Sequence, residues 1–416
     1  MTEQPLKNAF LFRQPILDRQ QELAGYQLSL RRSDELADER SVSRDAAALC
    51  AAYAELGMQS ALGNARAFIG IDADYLRQEA IELLPASGVA IELNVVSVPD
   101  RVTLTRCQSL RERGYSLVLT DYRGIDDRSR PLLPMVEVIK IDVHAADPEQ
   151  LQNFAGSLRK LPIKLLAQGV GSREQMERCR NLGFELFQGR YFAQAEIVSG
   201  RRLSAPQAAL IRLVNLVGRD VDTAVIEDAF KHEPALTLNL LRVVNSVGCR
   251  GSRLAQPVTT LRHAITLFGR RQLQRWLSLL LLAPGSDADP ARSPLLQVAA
   301  LRGRMMELLI ELGPPGEHRK LADLAFITGI LSMMPVALGL PIAEILAQIA
   351  VERDVQLALS ERRGVLGTLL ALLECFDNDD APGCDRLLAG LPGGFERHTL
   401  NICLSVALRW LNGNGE

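Results

Sequence analysis

Residues 67 to 188 hold six short apolar runs spaced by stretches of helical periodicity, and this alternation limits the fold more than any other feature of the chain. The runs are 67–72 (AFIGID), 89–94 (VAIELN), 116–121 (SLVLTD), 136–141 (VEVIKI), 163–168 (IKLLAQ) and 185–188 (ELFQ), with helical patterns such as 101–113, 148–160 and 172–182 between them. Apolar strands alternating with helices pair in parallel through crossover connections. Six or more such units in half of this chain favour a closed barrel over an open sheet. In a parallel barrel, chemistry gathers at the C-terminal ends of the strands. Asp72, Glu92, Asp121, Lys140, Gln168 and Gln188 all fall at or near those ends.

The character changes near Gly200. Helical patterns then dominate: 206–217, 221–231, 235–245, 259–268, 271–282, 293–311, 320–332, 342–352, 364–375 and 400–411. Residues 285–294 (GSDADPARSP) have linker composition, and 376–394 reads as a long surface loop. A chain of 416 residues exceeds one ordinary domain, so two are expected, at 1–200 and 201–416. The fold class is thus α/β plus all-α.

Charge excludes some partners. With 47 basic and 49 acidic residues the net charge is −2, which gives no extended basic field for nucleic acid or an anionic membrane. Seven dispersed cysteines without a CxxC pair read as free thiols. The N-terminal MTEQPLKNAF has no apolar signal region. Residues 324–342 are uncharged, but Gly329, Ser332, Pro335, Gly339 and Pro341 suit two short buried helices better than one membrane span. The expected location is the cytoplasm.

Several ordered motifs in the first 200 residues are similar to the EAL phosphodiesterases, which hydrolyse cyclic di-GMP. Gln14-Pro15-Ile16 resembles the opening strand of that family, and Gly25-Tyr26-Gln27-Leu28-Ser29-Leu30-Arg31 its name-giving motif. Lys140-Ile141-Asp142 resembles its lysine strand, Gln168-Gly169-Val170-Gly171 its EGVE segment, and Gln188-Gly189-Arg190-Tyr191-Phe192 its QGYxF segment. The resemblance implies a TIM-like (β/α) barrel in which two divalent cations activate water on a phosphodiester. Hard cations of that kind need clustered carboxylates. Here the motif glutamate is replaced by Gln27, the asparagine position by Asp72, the second of two paired aspartates by Tyr122, and the EGVE glutamates by Gln168 and Gly171. Glu92, Asp121, Lys140 and Gln188 are kept. The expectation is a single Mg or Mn ion at most, on Asp72, Glu92 and Asp121, within a remnant pocket of Gln27, Arg31, Lys140, Gln168 and Gln188. Asp121 and Lys140 as an internal ion pair is the structural alternative.

The second half resembles an HDOD domain, a helical relative of the HD phosphohydrolases without their metal set. The matching residues are 232–236 (HEPAL), 240–246 (LLRVVNS), 264–269 (AITLFG) and 325–331 (AFITGIL). Asn245 is expected to cap a helix end or turn. No His-Asp dipeptide occurs, and the five histidines show no ligand spacing. Arg270, Arg271 and Arg275 beside Trp276 read as a solvated or partner-facing helix surface rather than a nucleic-acid contact. The combined resemblance implies a bacterial signalling protein. Its expected role is non-catalytic, through contacts with other signalling proteins and through homodimerisation. The alternatives are a cyclic di-GMP sensor using Arg31, Lys140 and Gln188, and a weak cyclic di-GMP phosphodiesterase.

Overall fold

The computed structural model describes residues 9–31, 42–94, 98–194, 204–219, 221–251, 258–282, 293–313 and 318–413. They form two compact units. One joins Met1–Gln194 to Ala371–Glu416, and the other is Ala195–Leu370.

The first unit is built on a closed eight-stranded barrel in sequential order. Strands β1 (Phe10–Asp18) and β2 (Leu23–Arg31) form an antiparallel pair with Gln14 opposite Gln27. From β2 onward the neighbours are parallel: β3 (Arg66–Ile71), β4 (Val89–Asn94), β5 (Ser116–Thr120), β6 (Val138–Asp142), β7 (Lys164–Val170) and β8 (Leu186–Gly189). An antiparallel β1–β8 pairing closes the ring. The six expected runs are thus β3 to β8, and the motif 25–31 lies within a strand of its own.

Side chains alternate across a strand, so one parity faces the barrel axis. The inner plug is Ile16, Phe68, Ala90, Val118, Val138, Leu166 and Leu186. Two residues further toward the mouth on each strand stand Gln14, Gly70, Glu92, Thr120, Lys140, Gln168 and Gln188. An apolar plug therefore carries a polar layer directly above it. Glycines make this closure sterically feasible. A Cβ on Gly25 would lie 2.6 Å from the Arg66 carbonyl oxygen, and one on Gly189 would lie 1.9 Å from that of Val170.

The chain from 371 onward packs with the barrel rather than with the helical unit, unlike the expected division at 201–416. Polar side chains on and just after the helix Arg397–Leu411 account for this by bonding backbone groups of the first unit. Asn401 accepts from the Leu11 amide (2.8 Å) and donates to the Ala9 carbonyl (2.9 Å). Ser405 donates to the Leu56 carbonyl at 2.6 Å, and Asn412 to that of Ala61 at 2.7 Å. The expected loop over 376–394 contains a helix, Ala381–Ala389, opened by a side-chain cap from Asp380 to the Gly383 amide at 2.9 Å.

The second unit is helical throughout its described residues. Helices Pro294–Glu311 and His318–Leu331 cross at Gly303 and Gly329, where a Cβ on Gly329 would lie 2.6 Å from the Gly303 backbone. Lys320–Leu338 is long and apolar enough to cross a membrane by length and composition, yet 61% of it is buried inside the unit. The helix expected over 342–352 is instead Ile342–Leu346, with a second helix, Arg353–Glu361, beginning after it. Asn245 lies inside the helix Pro234–Gly251 and does not cap it. Its amide clamps residue 258, donating to the Val258 carbonyl (3.0 Å) and accepting from the Val258 amide (2.8 Å). Nor do Arg271 and Arg275 form an outward surface. Both bind buried Glu307, and Arg275 also reaches Asp323 at 2.9 Å while lying over the Phe326 ring. The expected linker at 285–294 falls mostly outside the described residues.

Candidate binding site at the barrel mouth

The polar layer floors a cavity of about 610 Å³ at the C-terminal ends of the parallel strands. Its chemistry is dominated by amides and by one buried ion pair. The Lys140 ammonium donates to Glu92 Oε1 at 2.7 Å, and the two side chains are only 3% and 6% exposed. The same ammonium donates to Gln27 Oε1. Gln27 turns its Nε2 to the Phe68 carbonyl at 3.2 Å, which fixes the amide with its oxygen toward Lys140. Gln188 donates to Gln14 Oε1 at 2.5 Å, leaving its own buried carbonyl oxygen without a protein donor.

The structure brings Gln27, Arg31, Glu92, Asp121, Lys140, Gln168 and Gln188 to the cavity wall. Asp72 is elsewhere in function: it caps the short helix Ala73–Leu76, accepting from the Tyr75 amide at 2.7 Å. The inward position beside Glu92 is Gly70, its direct partner in the β3–β4 register. Asp121 also differs from expectation. The inward position of β5 is Thr120, whereas Asp121 follows the strand at φ 51° with its carboxylate held by Arg123 at 3.2 Å. It therefore pairs with Arg123, and Lys140 pairs with Glu92, rather than the two with each other. Tyr122 packs edge-on against Phe154 on the cavity wall, with ring centroids 5.4 Å apart, and supplies no carboxylate there.

Asp72, Glu92 and Asp121 are consequently not assembled into one ligand set. No group of three or more His, Cys, Asp or Glu side chains suited to a metal occurs among the described residues. Of the polar layer itself, only Glu92 is a carboxylate, and an ammonium already neutralises it. The residues present do not fit a two-cation centre, which requires several converging anionic oxygens.

Sequence reasoning missed Gln14, Ser29, Asn94, Thr120, Arg123 and Asp379, all on the cavity wall. Strand parity could have found Gln14, Ser29 and Asn94, which sit two residues from Gln27 or Glu92 or opposite Gln27 across the hairpin, whereas Thr120 was hidden by the carboxylate one residue beyond it. Asp379 had no such signal, because it enters from the far end of the chain.

Residues 73–195 match the family model described as the EAL domain, and residues 204–332 match the HDOD domain. The cyclic di-GMP phosphodiesterase CdgJ of Vibrio cholerae is 28% identical over 418 aligned residues, covering 98% of this chain and 93% of that protein. An uncharacterized protein of Bacillus subtilis, YuxH, is 22% identical and is covered over 97% of its length. Among solved structures, a cyclic di-GMP complex of the PaMucR phosphodiesterase aligns at 18% identity with a TM-score of 0.38, over 48% of this chain and 99% of that one.

Proposed function

We propose that this chain, an EAL domain followed by an HDOD domain, is a signalling protein that does not hydrolyse cyclic di-GMP and acts through contacts with other proteins. One observation carries the reading. Of the polar layer that floors the mouth, Glu92 alone is a carboxylate, and Gln27, Gly70, Thr120 and Gln168 beside it offer no negative charge to a metal ion. Binding to partner proteins requires no metal cluster and is compatible with this arrangement. A cytoplasmic location belongs to the same proposal.

A second reading keeps the cavity as a receptor for cyclic di-GMP without cleavage. It is favoured by the volume of about 610 Å³, by Arg31 and Arg123 on the wall, and by the undonated Gln188 oxygen, which can accept from a ligand N–H. The name of the Vibrio relative favours hydrolysis instead. Turnover of cyclic di-GMP measured with Mg²⁺ or Mn²⁺ separates these. The expected result is no metal-dependent product for the natural chain and gain of Mn²⁺ binding on restoring inward carboxylates by Gln27→Glu, Thr120→Asp and Gln168→Glu. Metal-dependent turnover by the natural chain at a rate matching that variant would overturn the non-hydrolytic assignment.

A further inference from the structure

The turn after the helix Gly364–Asp377 reaches the barrel mouth from outside the segment that matches the EAL domain. Phe376 anchors it, packing 5.1 Å from the Phe12 ring and 6.5 Å from the Phe10 ring at the start of β1. Arg190, directly after β8, donates to the Asn378 side chain. The Asp379 amide donates to the Phe376 carbonyl at 3.2 Å, and Asp379 adopts a left-handed φ of 54°. That conformation is costly for most residues, though less so for Asp and Asn. The result is a half-buried carboxylate on the cavity wall with Arg31. Burial raises the Asp379 carboxyl above its ordinary range, and the guanidiniums of Arg31, Arg190 and Arg13 oppose that rise.

We infer that Asp379 is an in-chain anion on the wall of the mouth whose charge opposes a phosphate-bearing ligand at Arg31, so that the 376–379 turn sets the affinity of the mouth. A phosphodiester approaching Arg31 enters the cavity that the Asp379 carboxylate also lines, and is repelled by it. Neutralising that one carboxylate should therefore strengthen anion binding, whereas removing an arginine should weaken it. The inference rests on the second reading above, in which the mouth receives such a ligand.

The test is calorimetric titration of the full chain with cyclic di-GMP in EDTA. Asp379→Asn removes the charge with a residue that tolerates the same left-handed turn. It should bind about tenfold tighter than the natural chain, the order expected for one charge removed from a half-buried site. Arg31→Gln should bind more weakly, and the gain from Asp379→Asn should shrink when it is made in the Arg31→Gln background. Equal, measurable affinity of Asp379→Asn and the natural chain would refute the inference while leaving the receptor reading in place, whereas binding by neither would overturn the receptor reading and the inference with it. A natural chain that hydrolyses the ligand with Mn²⁺ yet shows the tenfold gain in EDTA would overturn the non-hydrolytic assignment and leave this inference standing.

Discussion

Lys140 and Glu92 set the character of the mouth at the scale of single residues. Two opposite charges are buried side by side, and each is tolerable because the other is present. Lys140→Met leaves the Glu92 carboxylate uncompensated and should cost about 3–5 kcal/mol of unfolding free energy, as read from denaturant midpoints. Adding Glu92→Leu to that variant should recover most of the loss. A double variant as unstable as the single one would mean that lost packing, not stranded charge, explains the damage. What the sequence discloses here is residue type, not direction. Asp72 and Asp121 are both carboxylates close to strand ends, as expected. One is nevertheless spent on the Tyr75 amide and the other on Arg123, because each lies one residue past its strand. Gly70 and Thr120, the residues that do face the axis, carry no charge to draw attention.

Among elements, the strands β3 to β8 were legible because parallel strands covered on both faces read as continuous apolar runs. The pair β1 and β2 was less so, since Gln14, Gln27 and Ser29, which line the cavity, break the apolar pattern. The helix pair at Gly303 and Gly329 shows a similar division. Sequence gives the two helices, while the absence of side chains at their crossing sets how closely they approach. Gly329→Val would drive a branched side chain into the Gly303 backbone, where even a Cβ would stand at 2.6 Å. Such overpacking costs on the order of 1–3 kcal/mol or more. A fall in melting temperature of several degrees for Gly329→Val is expected, with a smaller one for Gly329→Ala. No change for the valine variant would contradict the close crossing.

For the whole molecule, the family boundaries and the folding boundaries do not coincide. The barrel unit recruits 371–416, whose Asn401, Ser405 and Asn412 satisfy backbone groups at residues 9, 11, 56 and 61. A fragment of residues 1–200 should therefore lose cooperative unfolding and near-ultraviolet circular dichroism. A fusion of 1–194 to 371–416 through a long Gly/Ser linker should recover both. A well-folded 1–200 fragment would show that the C-terminal helix is dispensable. This return of the chain was invisible in the sequence, because an amphipathic helix such as Arg397–Leu411 declares an apolar face without declaring which core it covers.

The same return carries a cost during synthesis. A ribosome that has finished the last barrel strand at Gly189 must still make the helical unit before Asn401 exists to cap Leu11 and Ala9. At roughly 5–20 residues per second, that interval lasts on the order of ten seconds or more. For most of it, Phe10 and Phe12 lack their cover from Phe376. The barrel can therefore complete its packing only when the C-terminal helix has been made, and the length of the unit inserted between its two parts sets that delay.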